Sequence, residues 1–230
     1  MIIAKLYLSS IRSLDLSDNY DRAYSVVSID RKEKAASFKN EESRKRTIMG
    51  EILIRKALSD LNMKYDILEY AYGKYGKPYL KNMPDFCFNI SHSGDYVLLG
   101  VSGKEIGCDI ELIRKRDLKI AKRFFTAQEY EDIIRVKNED DRMSLFFSYW
   151  VLKESYIKQS GLGLSEPLNS FSITINENKE IYVNSGNDVD GLYMKLFDEL
   201  EGYRIGVCSY DEEAKLKVVD FTELMKEGIL

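Results

Sequence analysis

The middle of the chain reads YVLLGVSGKEIGCDIEL over residues 96–112. Residues 96–101 and 106–112 are both rich in β-branched and other apolar side chains, which is typical of strands. The polar residues 102–105 between them fit either a hairpin turn or a crossing between two domains. Because helices and strands are predicted on both sides of this changeover, the pattern indicates an α/β chain with an N-terminal part, residues 1–104, and a C-terminal part, residues 105–230.

The flanking regions supply the helices and strands of that prediction. Apolar residues recur at three- and four-residue spacing from Ile48 to Leu61, which predicts a helix. Thr126 and Glu129 have the spacing of a capping box and predict the start of another helix. A third helix is predicted over residues 141–160, where Gly161 would end it. Strands are predicted at residues 1–8, 86–90, 171–175, 192–197 and 203–209.

Composition excludes several classes of function. The 230 residues carry a net charge of −4, which argues against a nucleic-acid-binding protein. A single histidine, His92, excludes HExxH zinc sites and other multi-histidine metal sites. The N-terminus resembles a strand and not a signal peptide, and no apolar run is long enough to cross a membrane. We therefore expect a cytoplasmic protein that has no membrane segment.

Asp109 and Glu111 are the first candidates for a chemical site. Alternate residues of a strand share a face, so the two carboxylates should lie roughly 6–7 Å apart on one side. Such a pair can hold a hard divalent cation, since Mg²⁺ often takes one or two protein carboxylates together with phosphate oxygens. An ordinary amphipathic strand with its acids in water is the alternative.

Two further groups of residues suggest a binding cleft. Trp150, Glu154 and Lys158 follow at intervals of four, so they form one stripe of the predicted helix. This stripe fits either a surface ion pair or the wall of a cleft. Ser91 and His92 lack the GxSxG surroundings of a nucleophilic serine, and an imidazole beside hydroxyls could instead contact phosphate.

Taken in order, these pieces resemble the 4′-phosphopantetheinyl transferase family, in its long, surfactin-synthetase-activating type. The resemblance is carried by GKP at 76–78, FNISHSG at 88–94, GCDIE at 107–111, FFTAQE at 124–129 and WVLKESYIKQSGLGL at 150–164, with RTIMG at 46–50 upstream. It implies two similar α/β subdomains related by pseudo-two-fold symmetry, with coenzyme A (CoA) in the cleft between them. It also implies the reaction, in which a carrier-protein serine attacks the β-phosphate of CoA, receives 4′-phosphopantetheine and releases 3′,5′-ADP.

The resemblance also assigns residues. Asp109, Glu111 and Glu154 are expected as Mg²⁺ ligands, and Glu154 and Lys158 as catalytic residues. The role of Glu129 stays open. The CoA contacts implied by the same matches are Arg46, Lys77, Ser91, His92 and Lys158, with Arg31 and Lys34 matched more loosely.

An acyl carrier protein or a peptidyl carrier domain is the expected partner, and the chain is expected to act as a monomer. Two alternatives remain open from the sequence. One is a metal-dependent phosphodiesterase or nuclease that uses the same carboxylates, which the acidic composition disfavours. The other is a carrier-binding or CoA-binding module of the same fold without turnover.

Overall fold

The computed structural model describes residues 2–16, 18–64, 67–187 and 189–230, so Met1 of the predicted first strand lies outside it. The strands are β1 (Lys5–Ser10), β2 (Tyr70–Tyr72), β3 (Pro78–Leu80), β4 (Cys87–Ser93), β5 (Tyr96–Ser102), β6 (Gly107–Leu112), β7 (Ser172–Ile175), β8 (Ile181–Asn184), β9 (Tyr193–Phe197), β10 (Tyr203–Ser209) and β11 (Lys215–Val218). The helices are α1 (Asn19–Val26), α2 (Ile29–Ser37), α3 (Glu41–Asp60), α4 (Lys119–Phe124), α5 (Ala127–Arg135), α6 (Glu139–Ser160) and α7 (Phe221–Lys226).

Two sheets and two long helices form the layers of the fold. The first sheet has the order β11-β1-β5-β4, in which β11 runs parallel to β1 and the other neighbours are antiparallel. The second sheet, β6-β10-β9, is antiparallel throughout. Helix α3 packs on β1 and β5, and α6 packs on β6 and β10. The predicted mixed α/β class is therefore confirmed.

Alternation along the strands holds these layers together. On β1, Tyr7 packs toward α3, whereas Leu6 and Leu8 pack against Cys108 and Ile110 of β6. The two sheets therefore share an apolar core, and the layers follow the order α3, first sheet, second sheet, α6. The intervening residues of β6 face the other way, toward α6.

Gly107 allows β6 to approach α6 closely. A side chain at this position would place its Cβ 2.0 Å from the Ser155 carbonyl oxygen and 2.3 Å from the Gln159 amide nitrogen. Neither backbone group can move away without breaking the helix, so only glycine fits. Gly107, the first residue of the GCDIE segment, thus lets the carboxylates that follow it lie close to the helix that carries Glu154 and Lys158.

The connection from β5 to β6 is a crossing and not a hairpin, because the two strands belong to different sheets. The proposed boundary between residues 104 and 105 falls in this connection, while β11 returns from the far end of the chain to the first sheet. Both reciprocal hydrogen bonds of the capping box are present at α5, and Gly161 ends α6 with a φ of +69°. Among the described residues, no helix combines the length and apolarity that a membrane crossing needs.

Candidate active site

Hydroxyl groups on β4 hold both carboxylates of β6. Ser91 Oγ donates to Asp109 Oδ1 at 2.6 Å, and Ser93 Oγ donates to Glu111 Oε2 at 2.8 Å. Both pairs use alternate residues of their strands, so the carboxylates share a face as predicted. Asp109 is buried and Glu111 is half-buried. The alternative of an ordinary amphipathic strand with its acids in water is therefore wrong.

Helix α6 adds a lysine to this arrangement. Lys158 Nζ donates to Asp109 Oδ1 at 2.5 Å and to Ser91 Oγ at 3.0 Å. The side chain of Lys158 is 26% exposed. Glu154 lies one turn earlier on the same face of the helix.

A cavity of about 340 Å³ opens where these elements meet. Its lining comprises Ile90, Ser91, His92, Asp109, Glu111, Trp150, Glu154 and Lys158. The stripe of Trp150, Glu154 and Lys158 is therefore the wall of a cleft, and the simple surface ion pair is ruled out. Residues 49 positions apart in sequence, such as Asp109 and Lys158, reach this cavity because β6 packs on α6.

Burial and neighbouring negative charge raise the pKa values of two cavity carboxylates, Glu111 and Glu154. Burial is the largest cause of the raised pKa of Glu154, and the negative charges of Asp109 and Glu111 raise it further. Burial also raises the pKa of Glu111, although the hydrogen bond from Ser93 opposes this shift. Burial disfavours the charge of Lys158, yet Asp109 outweighs it and the pKa of the lysine is raised. The cavity thus holds closely spaced acids whose negative charge a cation would relieve.

The donor set fits a hard divalent cation in its chemistry. Asp109 Oδ2 is buried and has no hydrogen-bond partner in the described structure, so one oxygen is free for a further ligand. The described residues contain no preformed group of three or more His, Cys, Asp or Glu side chains at metal-binding spacing. Such a site would therefore rely on oxygens that a phosphate ligand brings with it.

His92 lines the cavity, and Arg46 lies close enough for its charge to act on the imidazole. Arg46 Nη2 donates to the Gly94 carbonyl oxygen at 2.7 Å and meets Glu42 at 3.1 Å. His92 is exposed, but partial desolvation and the positive charges of Arg46 and Lys158 lower its pKa. The charges of Arg46 and Lys158 therefore both act on the His92 ring, so the three basic groups lie close to one another.

Lys77 bridges the two parts of the chain. Its ammonium donates to Glu105 Oε2 at 2.5 Å, to the Ile106 carbonyl at 3.1 Å and to the Gln159 carbonyl at 3.3 Å. Lys77 also lines a second, larger cavity of about 560 Å³. That cavity, called here the apolar cavity, shares Glu154 and Lys158 with the acidic one.

Arg31 and Lys34 occupy different surroundings from these residues. Arg31 is buried, with its guanidinium carbon 4.1 Å from the centre of the Tyr70 ring. Burial, followed by the charge of Arg31, lowers the pKa of Lys34. Their assignment to phosphate binding stays a prediction.

Glu129, whose role the sequence left open, belongs to the core. It lies 2.9 Å from Lys153 Nζ, and both side chains are at most 1% exposed. Its Oε1 also accepts from the Ile173 amide and its Oε2 from the Thr126 amide. Since every one of these contacts is within the fold, the geometry gives Glu129 a structural role.

Ser93, which the sequence reasoning considered only as a hydroxyl beside His92, also holds a carboxylate of the site. It repeats the pattern of Ser91 two positions later on β4, and its hydroxyl also accepts from the Leu112 amide at 3.1 Å. The signal available in the sequence was this two-residue period of small polar side chains within an otherwise apolar strand.

Comparisons with known proteins identify relatives of this chain. Residues 105–208 match the family model described as the 4′-phosphopantetheinyl transferase superfamily, and residues 15–104 match the one described as 4′-phosphopantetheinyl transferase, N-terminal. The 4′-phosphopantetheinyl transferase Sfp of Bacillus subtilis is 34% identical over 93% of this chain and 96% of its own length. The 4′-phosphopantetheinyl transferase gsp of Aneurinibacillus migulanus is 37% identical over 80% of this chain and 77% of its own length.

Solved structures align with part of the chain. The holo-[acyl-carrier-protein] synthase of Thermotoga maritima covers 47% of this chain and aligns over 64% of its own, with a TM-score of 0.39 and 16% identity. A holo-(acyl-carrier-protein) synthase from Bacillus anthracis, solved with CoA (3′,5′-ADP), covers 45% of this chain and aligns over 92% of its own, with a TM-score of 0.37 and 14% identity.

Proposed function

The chain belongs to the 4′-phosphopantetheinyl transferase superfamily, and from that premise we propose that it transfers 4′-phosphopantetheine from CoA to a serine of an acyl or peptidyl carrier protein, with Mg²⁺ and with release of 3′,5′-ADP. One observation carries the proposal. Three carboxylates and one lysine, from β6 and α6, line a single cavity in which a buried Asp109 oxygen lacks a partner. This combination suits a diphosphate that arrives with a cation.

Asp109, Glu111 and Glu154 are the residues that would hold Mg²⁺. Bound there, the metal ion would neutralise charge on the diphosphate oxygens. Before the ligand arrives, Lys158 occupies one Asp109 oxygen and Ser93 occupies one Glu111 oxygen. The lysine thus keeps the buried carboxylate compensated until substrate enters.

Lys158 and Glu154 take complementary roles in the transfer. The carrier serine oxygen bonds to the β-phosphorus, the bond from that phosphorus to the bridging oxygen breaks, and 3′,5′-ADP leaves with the bond electrons. The ammonium of Lys158 offsets the charge that develops on the leaving phosphate. Glu154 receives the serine proton through a water molecule, since a carboxylate that holds a metal ion is a weak direct base.

The basic residues around the cavity would bind the nucleotide end of CoA. Arg46 and His92 are proposed for the 3′-phosphate, since the charge of Arg46 acts on His92 and charge-assisted hydrogen bonds suit a phosphate. Ser91 and Lys77 are proposed as further contacts. Arg31 and Lys34 keep the same assignment on the resemblance alone.

The remaining expectations concern the molecule as a whole. We propose that residues 1–104 and 105–230 are similar halves related by pseudo-two-fold symmetry. The proposal also includes a cytoplasmic monomer that binds neither nucleic acid nor membranes. Equilibrium sedimentation with and without a carrier protein would test the monomer.

Mass spectrometry of carrier proteins provides the decisive test. A panel of apo acyl and peptidyl carriers is incubated with CoA and Mg²⁺, and at least one should gain the mass of phosphopantetheine. Addition of EDTA should stop the gain, and excess Mg²⁺ should restore it. No gain on any carrier would contradict the proposal, whereas release of mononucleotides from DNA or RNA without a carrier would favour the phosphodiesterase alternative.

A further inference from the structure

Asn89 links β4 to β6 by a hydrogen bond that fixes the orientation of its amide. The Asn89 Oδ1 atom accepts from the Cys108 backbone N–H at 2.9 Å, and the Cys108 thiol donates to the Asn89 carbonyl oxygen at 3.4 Å. Because an N–H can only meet an acceptor, the oxygen of the side-chain amide must be the atom at Cys108. The nitrogen, Nδ2, therefore occupies the other position.

The amide nitrogen of Asn89 is the donor left for a ligand. Asn89 is 6% exposed, and in the described parts of the chain Nδ2 meets no acceptor. Unlike the buried, unpartnered Asp109 Oδ2, the Asn89 Nδ2 atom is not among the fully inaccessible unpartnered atoms of the described structure. Asn89 lines the apolar cavity, so a ligand bound there is next to this residue.

The position of Asn89 relative to the two cavities indicates which part of a ligand it would meet. It lines the apolar cavity but not the acidic one, and the two cavities share Glu154 and Lys158. Tyr75, Pro78, Phe124 and Ile157 give the apolar cavity much of its wall. A charged diphosphate belongs in the acidic cavity, whereas a neutral chain attached to it would continue into the apolar one.

We infer that Asn89 Nδ2 donates a hydrogen bond to an amide carbonyl of the pantetheine arm of CoA and so selects for that arm. This inference rests on the proposed function. The arm is a neutral chain with two amides, and a buried amide carbonyl without a donor would weaken binding. A cavity of about 560 Å³ is in the usual range for a small-molecule site.

Calorimetry with two ligands tests the contact. CoA and 3′,5′-ADP share the nucleotide, but only CoA has the pantetheine arm. Asn89→Ala should weaken CoA about tenfold more than 3′,5′-ADP, as the loss of one hydrogen bond in a desolvated site implies. Asn89→Asp keeps the acceptor for the Cys108 N–H and loses the donors, so it should show at least the same selective loss.

Asn169→Ala is the matched control. Asn169 lines the same cavity, but its Nδ2 already donates to the Arg123 carbonyl oxygen at 3.4 Å. This variant should change the ratio of CoA to 3′,5′-ADP affinity by less than about twofold, because Asn169 is exposed and water can satisfy its second N–H donor.

Each result has a defined meaning. An equal loss for both ligands in a folded Asn89 variant, or no loss for either, would overturn the inference. If both variants fail to fold, the side-chain amide resonance of Asn89 in ¹⁵N-labelled wild-type protein should shift with CoA and not with 3′,5′-ADP; a resonance that responds equally to both would overturn it. A wild-type protein that binds neither ligand would overturn the proposed function, and this inference with it.

Discussion

Helix α6 carries two lysines, Lys153 and Lys158, that each meet a carboxylate in different surroundings. Lys153 is fully buried and directs its ammonium to Glu129 Oε1 and to the carbonyl oxygens of Leu168 and Phe171, at 2.7–2.9 Å. These three acceptors match the three N–H donors of an ammonium group. The Lys153–Glu129 pair is therefore complete within the protein.

The Lys158–Asp109 pair is incomplete. Lys158 has two acceptors, Asp109 Oδ1 and Ser91 Oγ, and the second Asp109 oxygen has no partner in the described structure. Burial lowers the pKa of Lys153 despite Glu129, whereas Asp109 raises that of Lys158 despite burial. The comparison teaches that an ion pair whose hydrogen bonds are all satisfied within the protein stabilises the fold. An ion pair that lines a cavity and keeps an unpaired carboxylate oxygen can still bind a ligand.

The largest expected effect comes from removing the charge of Glu154. Glu154→Gln should lower carrier-protein transfer by at least about 10³-fold, since it removes a proton acceptor and a metal ligand together. The variant should nevertheless be more stable than the wild type above pH 5. Transfer assays and thermal unfolding measure the two effects, and Glu131→Gln on the exposed face of α5 should change neither.

The sign of this stability change follows from linkage. The pKa of Glu154 is raised above its ordinary value of 4.5 in the folded protein. The wild type therefore loses stability as pH rises through that folded pKa, because the unfolded chain releases the proton more readily. Glu154→Gln lacks this loss, so its advantage should shrink below pH 4.5. An advantage that grows on acidification would contradict the assigned direction.

Lys153→Met should break the complete pair. It leaves Glu129 buried without its countercharge, which should cost about 3–5 kcal/mol of unfolding free energy. The folded fraction should retain its turnover within a few-fold, since Lys153 does not line the acidic cavity. Denaturant unfolding measures the loss, and Lys119→Met, at a side chain 90% exposed, is the control. A Lys153→Met protein of normal stability without turnover would reverse the roles given to the two lysines.

Local sequence patterns predicted the residues of the incomplete Lys158–Asp109 pair better than those of the complete Lys153–Glu129 pair. Alternation placed Asp109 and Glu111 on one face, and the four-residue stripe placed Glu154 and Lys158 on another, because both signals depend on neighbouring residues. The same logic explained Glu129 only as a capping-box residue. Its contacts with Lys153 and Ile173 depend on tertiary packing across 24 and 44 residues, which no local period encodes.

The surroundings of basic residues likewise could not be predicted from local sequence patterns. The sequence matched Arg31 only loosely to a CoA contact, and its burial against Tyr70 depends on the return of the chain at β2. Lys77 was predicted from its motif, yet its bonds to the Ile106 and Gln159 carbonyls depend on how the two parts of the chain meet. Charge could be assigned from composition, whereas burial of that charge required the fold.

Arg46→Ala tests whether unused hydrogen-bonding capacity at Arg46, as at the Lys158–Asp109 pair, serves to bind CoA. Arg46 Nε is buried without a partner in the described structure, so the guanidinium has capacity beyond its bonds to Glu42 and Gly94. The variant should weaken CoA about 10- to 100-fold and 3′-dephospho-CoA much less, as loss of a charge-assisted hydrogen bond implies. Calorimetry with both ligands measures this, with Arg44→Ala as the control on the same helix. Equal losses would remove Arg46 from 3′-phosphate recognition.

The smallest expected effect concerns His92, whose proton reports on the charge around the cavity. Because the chain has a single histidine, one imidazole resonance gives the titration directly. Desolvation and the charges of Arg46 and Lys158 lower its pKa, so Arg46→Ala should raise that pKa by removing a repelling cation. Bound CoA should also raise it, since a phosphate beside the ring favours the protonated form. Lys153→Met should leave the titration unchanged, because the complete pair is not among the charges that the ring senses. A His92 pKa that responds to Lys153 and not to Arg46 would show that the two lysine environments are not separate.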